Sequence, residues 1–138
     1  MDSVTVSRQL DAHPDEVAEL VTELEPFVRA AGFDEVAVDG EEIRVANEVR
    51  PKRIELVLDT YDAPGTVLAY EQREGIFETM TTEYALEPAD GGMRVVATTE
   101  FALDAAVVGS LLDATVIKMQ RKRELTAQFD YLADRLDG

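Results

Sequence analysis

Glu78, Thr82 and Tyr84 are the residues of this chain whose types and spacing best suit chemistry. They share one alternation with Ile76, Met80 and Leu86, so a strand over this stretch turns all six toward one side. A carboxylate, a hydroxyl and a phenol on an otherwise apolar face have two readings. One is a mostly apolar pocket with a few placed polar groups, which is how small-molecule sites are built. The other is core polarity satisfied by water or by a place at the sheet edge. In a catalytic site, Glu78 or Tyr84 would be the general acid or base, its pKa tuned by burial. Two further stretches extend the face. Thr99 alternates with Val95, Ala97, Phe101 and Leu103, and Ile54, Leu56 and Leu58 alternate with Arg53, Glu55 and Asp59.

A helix must cover this face. Between Asp104 and Leu136 there is no proline and one glycine, Gly109, near the start; Val107, Leu111, Ala114, Leu125, Phe129, Leu132 and Leu136 recur at helical spacing. The spacing predicts one long amphipathic helix. Counting back from Leu125 in steps of three and four places Lys122 and Lys118 on the stripe facing the sheet, and leaves Arg121 and Arg123 off it. Lys118 then either extends its stem outward to water or holds its ammonium between helix and sheet. There it would meet Glu78 or an anionic group of a ligand. The expected ligand-contacting set is Leu56, Leu58, Glu78, Met80, Thr82, Tyr84, Thr99, Phe101, Leu111, Leu112, Thr115 and Lys118.

Other chemistries lack their residues. His13 is the single histidine and there is no cysteine, so no metal site and no cofactor are expected, and neither thiol catalysis nor a Ser-His-Asp triad can be assembled. His13 precedes Pro14, Asp15 and Glu16, which reads as a helix start with His13 exposed or capping. Gly91-Gly92 has no lysine beside it and reads as a hairpin turn, not a phosphate loop.

Charge narrows the partners. Thirteen basic residues against twenty-nine acidic ones give −16, and the acids are spread as a coat along the chain. Such a surface repels itself in dilute salt and is screened in concentrated salt, a pattern that resembles proteins of halophilic archaea. Nucleic acid is not an expected partner, because phosphate binding needs positive charge. No apolar run is long enough for a membrane span, and the first residues lack the basic and apolar regions of a signal peptide; a cytoplasmic protein without membrane insertion is expected. A protein partner stays open and unspecified. At 138 residues and 46% hydrophobic, the chain is expected to form a single domain over 1–138.

The order along the chain is strand, two short helices, six strands and the long helix. Three carriers give this order a family likeness: Leu10-Asp11-Ala12-His13-Pro14-Asp15-Glu16-Val17 at the first strand-to-helix junction, Tyr84-Ala85-Leu86-Glu87-Pro88 followed by Gly91-Gly92-Met93-Arg94-Val95 around a hairpin, and the terminal helix itself. Over essentially its whole length the chain resembles the START-like (SRPBCC, helix-grip) superfamily, nearest to its polyketide cyclase/dehydrase and lipid-transport group. The resemblance implies an α+β fold, a curved seven-stranded antiparallel sheet around a long C-terminal helix. It also implies binding of a small hydrophobic or amphipathic molecule (lipid, isoprenoid or polyketide-like) between helix and sheet. Two alternatives stay open: a cyclase, dehydratase or isomerase using a cavity carboxylate or tyrosine, and an interaction protein whose cavity is filled by side chains.

Overall fold

The computed structural model describes residues 1–49, 52–103 and 114–137. Strand β1, Asp2–Leu10, has the strict alternation of a half-buried strand. It ends at the junction read from His13. The His13 ring accepts from the backbone N–H of Asp15 at 3.1 Å, and the Glu16 carboxylate accepts from the backbone N–H of His13 at 3.3 Å. This reciprocal cap, with Pro14 in the first turn, starts α1, Pro14–Thr22. A short α2, Leu24–Arg29, follows.

Six strands come next: β2 Glu35–Asp39, β3 Glu42–Val49, β4 Lys52–Thr60, β5 Leu68–Glu74, β6 Phe77–Ala89 and β7 Gly92–Leu103. They join β1 in one antiparallel sheet in the order β1-β7-β6-β5-β4-β3-β2. From β2 to β7 each strand pairs with its neighbour in sequence, and only β1 joins the sheet from afar, beside β7. Helix α3, Ala114–Asp137, lies in the concave face and packs along β1, β7 and the two short helices. An ion pair from Arg8 on β1 to Asp130 on α3 ties helix to sheet edge. This is the curved sheet gripping a C-terminal helix that the sequence predicts.

The core sits between α3, α1, α2 and the inward residues of the sheet. Val17, Val21 and Phe27 from the short helices, Met93, Val95, Ala97 and Phe101 from β7, and Leu125, Phe129 and Leu132 from α3 are all buried in it. Two departures from expectation matter for the site. The first is on β6. Phe77 pairs with Leu103 and Thr79 with Ala102, so Glu78 is the extra residue of a β-bulge. Phe77, Met80, Thr82 and Tyr84 turn inward, while Glu78 is exposed. An unbroken alternation would place Glu78 inside; the bulge resets the parity. The second is the phase of α3. Its buried positions are Ile117, Arg121, Glu124, Leu125, Gln128, Phe129, Leu132 and Ala133, while Lys118 and Lys122 are exposed. The stripe runs back from Leu125 in fours, through Arg121 and Ile117. The expected positions of Lys118 and Arg121 are therefore exchanged. The expected helical stretch before Ala114, with Val107, Leu111 and Leu112, lies outside the described residues.

Candidate functional site

A line of polar side chains crosses the helix–sheet interface. Thr82 on β6 and Thr99 on β7 are register partners, and both are fully buried. Thr82 Oγ1 donates to Thr99 Oγ1 at 3.0 Å, and Thr99 Oγ1 donates to the carbonyl of Thr81 at 3.1 Å. From the helix, Arg121 Nη2 donates to Thr82 Oγ1 at 3.0 Å and to Thr99 Oγ1 at 3.4 Å. Its Nη1 pairs with the Glu124 carboxylate, one helical turn on. Gln120 Nε2 donates to the second Glu124 oxygen at 3.2 Å. Burial opposes the charge of the Arg121 guanidinium. The adjacent Glu124 carboxylate, Tyr70 and Tyr84 together outweigh that penalty and keep its pKa above the ordinary arginine value. Arg121 Nε is buried without a hydrogen-bond partner among the described residues.

A second polar group lies about two turns further along α3. Tyr84 OH donates to Gln128 Oε1 at 2.6 Å, and Gln128 Nε2 donates to the carbonyl of Phe27 at 3.1 Å. Since the Tyr84 proton is committed to Gln128, Tyr70 OH donates to Tyr84 OH across 3.2 Å. The Phe27 ring meets Tyr84 edge-on, with centroids 5.2 Å apart. Burial above all, then the neighbouring Tyr70, raises the Tyr84 phenol well above its usual range. It is held as a neutral donor. Each polar atom in this group has its partner, so the group closes the core.

The Arg121 end opens into a cavity of about 320 Å³ between α3 and strands β3 and β4. Val45, Leu56, Phe77 and Ile117 form buried apolar walls, with Phe33, Ile54 and Ile76 half-buried beside them. Arg121 and Glu124 are its buried polar wall, and Asp34, Glu48 and Gln120 are exposed at the rim. The rim is braced: Glu48 N donates to Asp34 Oδ2 at 2.7 Å, and Asp34 N donates to Asn47 Oδ1 at 3.1 Å. The turn before β6 is braced too. Gln72 spans it, donating to the Phe77 carbonyl at 2.8 Å and accepting from the Phe77 N–H at 3.2 Å. Gly75 fits there with φ +155°, and a Cβ at that position would fall 2.3 Å from both Gln72 Oε1 and Leu56 Cδ2. The turn thereby sets Ile76 and Phe77 on the cavity wall.

The structure divides the expected site residues. Leu56 lines the cavity. Leu58, Met80, Thr82, Tyr84, Thr99 and Phe101 are buried in the core beside it without lining it. Glu78, Thr115 and Lys118 are exposed, so the expected meeting of Lys118 with Glu78 inside the grip is corrected: the bulge turns one outward and the helix phase turns the other. Leu111 and Leu112 lie outside the described residues. Sequence reasoning missed Arg121, Glu124 and Gln128. The available signal was the opposite-charge pair at i,i+3 just before Leu125, on a helix that could equally be counted in fours.

Among the described residues, no helix is long and apolar enough to cross a membrane. No curated protein matches the chain in sequence. Solved structures share its fold at low identity. A protein from Thermus thermophilus superposes with a TM-score of 0.77 at 19% identity, covering 98% of this chain and 97% of its own. The ZhuI aromatase/cyclase from a Streptomyces species gives 0.76 at 17% identity, covering 99% and 93%. A START superfamily protein from Mycobacterium smegmatis gives 0.70 at 11% identity, covering 98% and 97%. The sequence profile of one family matches residues 1–137. With that match over nearly the whole chain and the helix-grip fold around an apolar cavity, the chain belongs to the polyketide cyclase/dehydrase and lipid transport family.

Proposed function

We propose that the chain binds a small hydrophobic or amphipathic molecule in the cavity between α3 and the sheet. One observation carries this reading: the apolar-walled space of about 320 Å³ ends on a buried, hydrogen-bonded ion pair, Arg121–Glu124. That combination of apolar body and a few fixed polar groups suits a ligand with a greasy frame and one polar end, and the volume sits at the small end of the range of about 300–1,000 Å³ for such sites. An open cavity also speaks against an interaction protein with a filled core. The test is a titration with the neutral fluorescent probe N-phenylnaphthylamine. The native protein should bind it saturably, and Ile54→Trp, which fills the cavity from its wall, should weaken binding about tenfold or more. Equal binding by both proteins would remove the cavity from the function.

A second reading, an enzyme of the cyclase, dehydratase or isomerase kind, gains support from Glu124, a buried carboxylate on the cavity wall. Family membership is compatible with it. In that reading the acid–base role first given to Glu78 or Tyr84 passes to Glu124, because Glu78 is exposed and the Tyr84 proton is committed to Gln128. Native mass spectrometry of protein purified gently from its own host separates the two: a binder retains one unaltered compound, whereas an enzyme converts that compound when it is supplied afresh.

The acidic coat supports a halophilic setting for this activity. Arg53 is shared among Glu35, Glu48 and Glu55, and Arg73 between Glu42 and Asp59, so few cations serve many carboxylates. The melting temperature should rise between about 0.1 M and about 3 M KCl as the screening length shrinks; equal midpoints would refute it.

A further inference from the structure

The cavity's charge is lopsided. Among the described residues that line it, Asp34, Glu48 and Glu124 carry carboxylates and Arg121 carries the one cation. Asp34 and Glu48 stand at the rim, where Glu48 lies 3.6 Å from the Arg53 guanidinium and Asp34 accepts the Glu48 N–H. Deeper in, the Arg121 charge is already matched by Glu124. A ligand carboxylate reaching Arg121 would pass two rim carboxylates and then share a single cation with a third. Away from water, a ligand carboxylate and the buried Glu124 carboxylate beside the same cation would repel strongly. An uncharged polar end meets no such opposition.

We propose that Glu124 makes the cavity selective for uncharged amphiphiles, and that it excludes carboxylates of the same size. This rests on the ligand-binding reading above. It assigns Glu124 a role other than catalysis, namely neutralising the one cation that would otherwise draw fatty acids and similar anions into the fold.

Displacement of N-phenylnaphthylamine by methyl decanoate and by decanoate tests it. The titrations are run near neutral pH and in about 1 M KCl, where screening within about 3 Å suppresses repulsion from the outer coat. The native protein should bind the ester at least about tenfold more tightly than the carboxylate. Glu124→Gln leaves Arg121 unmatched, so decanoate should become the tighter ligand and raise the melting temperature of that variant. Should that variant fail to fold, Arg121→Met combined with Glu124→Leu removes both charges; it should take the ester and still refuse decanoate, having no cation to offer. Equal affinities of the native protein for ester and carboxylate would overturn the selectivity while leaving the cavity as a binding site. Failure of the dye and both probes to bind would overturn the binding reading, and the selectivity with it.

Discussion

Two polar groups on one face of α3, about two turns apart, have opposite fates. Around Gln128 every polar atom is matched: Tyr84 and the Phe27 carbonyl take both ends of the amide, and Tyr70 completes the phenol. Around Arg121 the matching is incomplete, with Nε unpartnered among the described residues, and the group borders open space. A closed group holds the helix on the sheet; a polar group beside a cavity is where a ligand's polar end can be met. The difference separates structural polarity from functional polarity within one interface, although the side chains of both groups are buried.

Substitutions at the two ends sharpen that contrast. The largest effect is expected at the open end: Arg121→Met alone strands the buried Glu124 carboxylate and should cost about 3–5 kcal/mol in chemical denaturation. Adding Glu124→Leu should recover most of that loss, since an apolar pair of similar size replaces a buried ion pair at little or no cost. A double variant as unstable as the single one would show that the pair does more than neutralise itself.

The next pair of substitutions compares packing. Leu58 is sealed in the core, and Leu58→Ala should cost about 2–5 kcal/mol. Ile54 already borders the cavity, so Ile54→Ala should cost only about 1 kcal/mol. Equal losses would mean the cavity wall is packed as tightly as the core.

At the closed end, Tyr84→Phe leaves Gln128 Oε1 without its donor and should cost about 1–3 kcal/mol at neutral pH. Alkaline titration adds a sign. The Tyr84 phenol is raised in the folded state, so its contribution is complete below the unfolded tyrosine pKa of about 10 and is lost as pH climbs from there toward the folded value. The native protein should therefore lose stability above about pH 10 more steeply than Tyr84→Phe. Parallel alkaline profiles would contradict the buried, neutral phenol.

The smallest effect is expected at Lys118. Exposed on α3, it should tolerate Lys118→Met within about 0.5 kcal/mol, in contrast to its neighbour Arg121.

Lys118 and Arg121 also show where the sequence is legible and where it stops. Strand alternation, the Gly91-Gly92 turn and the His13 cap are local signals, each decided within a few residues, and the elements follow from them. The inward Thr82 and Thr99 were readable for the same reason. The bulge at Glu78 was not: it depends on how β7 meets β6, and parity counting carries a single inserted residue forward unseen. Helix phase failed differently. Steps of three and of four are both helical, and Arg121 and Lys122 are both basic, so hydrophobicity could not choose between them. Tertiary partners chose: two buried threonine hydroxyls from the sheet, with the Glu124 carboxylate one turn on, suit a guanidinium's fork of donors better than an ammonium.

The most direct measurement is a methyl-resolved NMR titration of isotope-labelled protein with methyl decanoate. Methyl groups of Ile54, Leu56, Ile76, Ile117 and Val45, on the cavity wall, should shift saturably together, while those of Leu58, Leu132 and Val21, in the closed core, should stay in place. Shifts at the closed-core methyls without shifts at the wall, or no saturable shifts at all, would contradict a ligand site at the open end of the interface.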